Sequence, residues 1–280
     1  MDDIGLLMKR QTRVQSITRR ILTSNLRYCQ KKAVDYGFTP ITLNRSAPPN
    51  VQRAGATALH LGDGYTVLWV APDSPALKAG IRVGDEISAV NGVTWAQSPD
   101  AQDMFRTALA SGLHEPRLQL TVRRADRTIT MEVQGQDSCD VRVIVVSGTR
   151  GVANASGNTI RVDTQTEQLL SDDQLAFIIG HEAAHIFLGH AATEQQLVTK
   201  QAVARFAMEQ AADALGVRLM LRAGYAPEAA AEANTQVSRS RGPFTRLLNL
   251  HGNYMKPKER SAFLAQQAED ARREAALPDG

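Results

Sequence analysis

Ser171-Asp172-Asp173-Gln174-Leu175-Ala176-Phe177-Ile178-Ile179-Gly180-His181-Glu182-Ala183-Ala184-His185-Ile186-Phe187 is the stretch that decides how this chain is read. Ser171 is a good N-cap, Gln174 completes a capping box, and two acids occupy the first turn. A helix therefore starts here and runs to about Leu188. His181 and His185 stand four residues apart, on one face and one turn from each other, so both imidazoles can reach a single Zn²⁺ ion. Glu182 sits beside the first of them, placed to take a proton from a water that the metal activates. Gly180, Ala183 and Ala184 are small and let other groups come close, while Leu175, Ile178, Ile179 and Ile186 supply an apolar surface for burial.

A zinc hydrolase needs a third protein ligand and one open position. The next long helix, expected at about 194–223, carries Glu209-Gln210-Ala211-Ala212-Asp213. Glu209 is the natural third ligand. Asp213, one turn on, can hydrogen-bond a ligating histidine and fix its tautomer. The alternative for an acidic pair is a solvated face, but the flanking alanines between Phe206 and Leu215 argue that it points inward. His190, at the helix end, is either a supporting group behind the ligands or a structural residue.

Working outward, the chain has 280 residues with 43% hydrophobic and 22% charged, enough to bury a core and too apolar for a disordered tail. Its net charge of +3 is too small to imply a nucleic-acid partner. No stretch approaches the ~18 apolar residues that cross a bilayer. The first 30 residues hold no apolar core of a secretion signal. Residues 1–35 read as a helix, with Val14, Ile17, Ile21, Leu22 and Leu26 at helical spacing among basic residues. Such a helix packs on its own protein or lies on a membrane surface, the first being commoner. Two cysteines, Cys29 and Cys139, exclude a disulfide scaffold and a four-cysteine zinc module, and are either reduced thiols or one bridge.

Between about 51 and 135 the pattern becomes β-rich. Thr57–Leu61 and Tyr65–Val70 read as strands joined by a tight Gly62-Asp63-Gly64 turn. Ser74-Pro75-Ala76 opens a short helix that stops at Gly80. Ile81–Ile87 returns to a strand, Asn91-Gly92 turns, 101–110 is helical, and Leu118–Arg123 with Thr128–Val133 form a last hairpin. Val141–Val146 reads as a buried strand and Thr159–Val162 as another.

Two resemblances follow from these motifs. Ser74-Pro75-Ala76, Ala79-Gly80-Ile81, Gly84-Asp85-Glu86-Ile87 and Val90-Asn91-Gly92 resemble a PDZ domain of the bacterial protease-associated type. That resemblance implies capture of an extended peptide, often a C-terminus, near Arg53–Ala56, or else a structural or regulatory module. Ala153-Asn154-Ala155, Gly180 to His185, Gly189-His190, Glu209 to Asp213 and Ala223-Gly224-Tyr225 resemble the HtpX/CAAX prenyl protease-like zinc metallopeptidases. This second resemblance implies a gluzincin endopeptidase with one Zn²⁺ per chain on His181, His185 and Glu209, with Glu182 as base and with peptide along an edge strand near Gly151–Ala155. The family usually places an oxyanion-stabilising histidine before a Glu-Arg pair. Here the spacing from Glu259-Arg260 puts Tyr254 at that position, with His251 as the alternative.

The expected fold class is α+β: an N-terminal helical segment (1–46), a PDZ-like β-rich domain (50–136), and a mainly helical metallopeptidase domain with a small sheet (137–280). The expected function is hydrolysis of peptide bonds in protein substrates, with a metal-stapled binding or chaperone-like protein and an autoinhibited enzyme as rivals. Soluble envelope members of the family carry an N-terminal helix ending in a cysteine and then a PDZ domain. Their likeness implies a Cys29–Cys139 bridge, and hence the periplasm or cell envelope, with an export signal once preceding Met1; the alternative is the cytoplasm. Protein or peptide substrates are the expected partners, with no nucleic acid, no transmembrane segment, and at most a peripheral membrane contact.

Overall fold

The computed structural model describes residues 4–42, 56–57, 61, 64–148, 153–190, 202–240 and 255–277. The chain is α+β and divides into two compact units. One is Met1–Thr12 with Lys32–Ser138, the sheet unit; the other is Arg13–Lys31 with Cys139–Gly280, the helical unit. The segment 1–46 is therefore shared between the two and forms no piece of its own. No helix among the described residues is long and apolar enough to cross a membrane.

Helix α1 (Ile4–Ser24) stops short of the expected residue 35. A 3-10 turn at Leu26–Tyr28 follows, and then strands β1 (Lys32–Asp35) and β2 (Phe38–Ile41). Gly37 between them has a φ of 72°, a left-handed conformation that no helix continues through. Val14, Ile17, Ile21 and Leu22 are buried in the core of the helical unit, the packing expected of them.

The sheet unit is built on β2, β3 (Tyr65–Val70), β4 (Glu86–Val90), β6 (Arg117–Arg124) and β7 (Arg127–Gln134), antiparallel and in that order, with β5 (Val93–Thr94) attached to β4. Helices α2 (Pro75–Lys78) and α3 (Pro99–Gly112) are capped by Ser74 and Ser98 and have proline in the first turn. β8 (Gln136–Cys139) pairs with β1. The β6–β7 hairpin shows why alternation suffices: Leu118, Leu120 and Val122 face inward opposite Val133, Met131 and Ile129 and join one apolar core. Two expectations differ here. The return strand begins only at Glu86, because Gly84 has a φ of 88° and Asp85 turns back to accept a hydrogen bond from the Arg82 N–H. Ala56 and Thr57 lie in a helical turn rather than a strand, and the place beside β3 belongs to β2. Ala58–His60 and Arg53–Gly55 lie outside the described residues.

In the helical unit, β9 (Arg142–Val146) runs parallel to β11 (Thr159–Asp163), which makes a hairpin with β10 (Ala153–Ser156). β9 is only partly buried, with alternate residues exposed, so the continuous apolar run at 143–146 overstated its burial. The helices are α4 (Thr164–Leu169), α5 (Asp172–Phe187), α6 (Ala202–Arg222), α7 (Ala229–Ser240) and α8 (Pro257–Ala275). α5 starts with the expected capping box. α5 and α6 cross where two glycines meet. A Cβ at Gly180 would lie 2.9 Å from the Gly216 carbonyl oxygen, and one at Gly216 would lie 2.9 Å from the His181 nitrogen. That crossing fixes the distance between His181 and His185 on α5 and Glu209 on α6. Arg13 locks α1 to the start of α5, reaching Glu167 at 2.7 Å, Asp172 at 2.8 Å and the Leu170 carbonyl at 2.8 Å.

Candidate metal centre

His181, His185 and Glu209 come together. His181 Nε2 lies 3.2 Å from His185 Nε2 and 3.5 Å from Glu209 Oε2, and His185 Nε2 lies 3.6 Å from Glu209 Oε1. A tetrahedral zinc bonded at ~2.0–2.2 Å holds its ligand atoms ~3.3–3.6 Å apart, so this triangle matches one face of such a site to about 0.1 Å. The donors are two imidazoles and a carboxylate, the set that zinc hydrolases use. The residues fit the ion. The histidines are 8% exposed, so little water competes for the position between them.

Behind the triangle, His181 Nδ1 lies 2.8 Å from Asp213 Oδ1. Asp213 is fully buried and is gripped by Arg260, whose Nε and Nη2 donate to its two oxygens at 2.8 and 2.6 Å. Burial would push the Asp213 carboxyl up, but His181 and Arg260 hold it well below the usual carboxylate range. Burial would likewise lower His181, but Asp213 and Glu209 outweigh it and lift the ring to about 10. His185 goes the other way, down to about 4, through burial and the neighbouring His181. Glu209 is held low: burial opposes this, and the two histidines outweigh it. Glu182 is pushed up, chiefly by burial; its carboxylate also accepts the backbone N–H of Ala155, so the β10 strand lies beside it.

His181, Glu182, His185, Glu209 and Asp213 are thus brought to one place. Tyr254 and His251 lie outside the described residues. Cys29 and Cys139 are joined in a disulfide with their Cα atoms 5.1 Å apart, within the helical unit. The roles of two residues escaped the sequence reading. Arg260 entered it only as half of the Glu-Arg landmark, because nothing in one sequence pairs it with Asp213 across 47 residues. Gly216 did carry a signal: a lone glycine inside a helix costs about 1 kcal/mol against alanine and usually marks a close approach.

Residues 116–208 match the model of peptidase family M48, and residues 66–124 match a PDZ domain model. The peptidase match covers about a third of the chain, includes His181, Glu182 and His185, and ends one residue before Glu209. No curated protein matches the chain. Among solved structures, the HtrA3 PDZ domain bound to a phage-derived ligand (FGRWV) is similar at 25% identity over 38% of this chain and 88% of that one, with a TM-score of 0.26. The family matches support a metalloprotease of the M48 kind that carries a PDZ module.

Proposed function

We propose that the protein is a zinc-dependent endopeptidase of the HtpX/CAAX prenyl protease-like kind, with one Zn²⁺ held by His181, His185 and Glu209. The observation that carries this is the triangle of donor atoms at 3.2, 3.5 and 3.6 Å, with Glu182 adjacent in sequence. Zinc there supplies Lewis acidity towards the scissile carbonyl and makes water a better nucleophile. Glu182 takes the proton of the attacking water and returns it to the departing amine nitrogen. Burial favours its protonated form, which suits the second of these steps. Asp213, backed by Arg260, holds the His181 ring in place. β10 pairs on one side with β11, and its position beside Glu182 supports a substrate strand laid along it. The family's oxyanion donor would be Tyr254, by its spacing from Arg260, with His251 as the alternative.

The PDZ module presents peptide to the protease or gates it. The Cys29–Cys139 bridge supports residence in an oxidising space, the periplasm or cell envelope. The test is hydrolysis of an unfolded protein with and without chelator, alongside metal analysis. Wild type should hold one zinc and lose activity to chelator. Glu182→Gln should keep the zinc and lose ~10²–10⁴-fold in rate. A Glu182→Gln protein as active as wild type would refute the assignment.

A further inference from the structure

His181 has Asp213 behind it; among the described residues, no carboxylate pairs with Nδ1 of His185. What its Nδ1 meets is the Nδ1 of His190, at 3.1 Å, with the ring centroids 5.1 Å apart and the planes at 66°. Continuing α5 would not produce this contact. Five residues along a helix is a rotation of ~140°, which would carry His190 to another face. The helix ends instead: Leu188 is its C-cap, and Gly189 takes a φ of 74°. The N–H groups of Leu188 and Gly189 close on the Ala184 and Ile186 carbonyls at 2.9 and 3.1 Å. This left-handed turn folds His190 back onto His185. On its outer side, Gln30 Nε2 donates to the Phe187 carbonyl at 3.0 Å and stands 3.6 Å from where a Gly189 Cβ would be.

We infer that His190 is the positioning residue for His185: its Nδ1 accepts the His185 Nδ1–H and so fixes the tautomer and ring angle that present His185 Nε2 to the metal. The inference rests on the zinc reading above. Both metal-facing atoms are Nε2, shown by their 3.2 Å approach and their distances to Glu209. An imidazole that gives its Nε2 lone pair to a metal carries its proton on Nδ1 and needs an acceptor there. Nδ1 of His190 is the atom at that place. It serves only as the neutral tautomer with its own proton on Nε2, since an imidazolium would turn an N–H against an N–H. The two ligands are therefore held differently: His181 by an anion that an arginine restrains, His185 by a neutral ring that a helix-ending turn delivers.

The experiment compares wild type, His190→Leu and His190→Asn as full-length chains. Zinc affinity is measured by chelator competition, and ¹⁵N shifts of the histidine rings are read in the zinc-loaded wild type. The Asn side chain keeps an acceptor where Nδ1 stood, whereas Leu does not. His190→Leu should bind zinc ~10–100-fold more weakly, and His190→Asn should recover most of that loss. The spectrum should show His185 protonated on Nδ1 and His190 protonated on Nε2 only. If His190→Leu keeps wild-type affinity, or His190 carries its proton on Nδ1, the inference is overturned even where wild type holds zinc. The spectrum of wild type decides the matter if His190→Leu does not fold. Wild type that takes up no zinc overturns the metallopeptidase reading as well.

Discussion

Each unit contains a buried aspartate gripped by an arginine, Asp85 in one and Asp213 in the other, and the two pairs do different work. In the sheet unit, Arg124 holds Asp85 through two contacts of 2.7 Å and also donates to the Gly80 carbonyl at 2.7 Å. In the helical unit, Arg260 holds Asp213 at 2.8 and 2.6 Å. Both aspartates are almost wholly buried. They differ in the third partner. Asp85 takes the backbone N–H of Arg82 at 2.9 Å, so its charge shapes a turn. Asp213 takes the ring of His181, one of the three candidate metal ligands, so its charge shapes the candidate site. A buried ion pair is thus no sign of function by itself; what else the carboxylate touches decides.

The largest expected effect follows from removing Asp213. Asp213→Ala leaves the Arg260 guanidinium, whose side chain is 25% exposed, without its partner, which costs about 1–3 kcal/mol. It should also weaken zinc by ~10–100-fold. Far-ultraviolet circular dichroism of the metal-free protein in urea reads the first, and chelator competition the second. Unchanged zinc affinity would make the two pairs equivalent and remove the contrast.

Asp85→Ala is the matched variant. The stability loss should be similar, about 1–3 kcal/mol, because the Arg124 side chain is 26% exposed and that of Arg260 25%, so both can reach water once alone. Both tryptophans, Trp69 and Trp95, belong to the sheet unit, so tryptophan fluorescence follows its unfolding. Zinc affinity should stay at the wild-type value; a fall would break the comparison from the other side.

The third prediction uses pH. His181 is raised to about 10, so in metal-free protein its ion pair with Asp213 adds stability that is fully present below its unfolded value of about 6.5. That stability is lost as pH rises through about 10. Zinc must displace this proton, so affinity should climb by up to about tenfold per unit between neutrality and that value. His185, lowered to about 4, is already neutral and has no second proton to lose. Calorimetry in buffers of different ionisation enthalpy should therefore count about one histidine proton released per zinc at neutral pH, rather than two. The Asp85 pair should leave that count untouched.

The smallest effect belongs to a surface pair. Arg272 and Glu228 are paired with both side chains more than half exposed. Glu228→Ala should leave the melting temperature and zinc binding unchanged within error, because water screens such pairs. A clear loss would show that exposure does not separate structural pairs from idle ones in this chain.

Much of the protein was legible in its sequence because the signals were local. The capping box of α5, the histidines four apart, the alternation of Leu118, Leu120 and Val122, and the Asn91-Gly92 turn each act within a few residues. The backbone period converts them directly into a face or a bend. Glu209 and Asp213 were readable as one inward face of the following helix. Expectations failed where neighbours decide. Residues 32–35, expected to end the helix, form β1 instead, and β2 follows, because β-pairing partners far along the chain complete them, β8 for β1 and β3 for β2.

The sequence by itself determined the chemistry on offer: two imidazoles one helical turn apart, a carboxylate beside the first, and an acidic pair on the next helix. Only the tertiary structure decided how those groups meet. The Gly180–Gly216 contact sets the spacing of two helices, and Arg260 arrives from a third to hold Asp213. Gly189 turns His190 back onto His185. Helical periodicity fixes where a side chain points around its own axis. The distance to a side chain on another helix depends on how closely the two backbones pack, and no single segment contains that information.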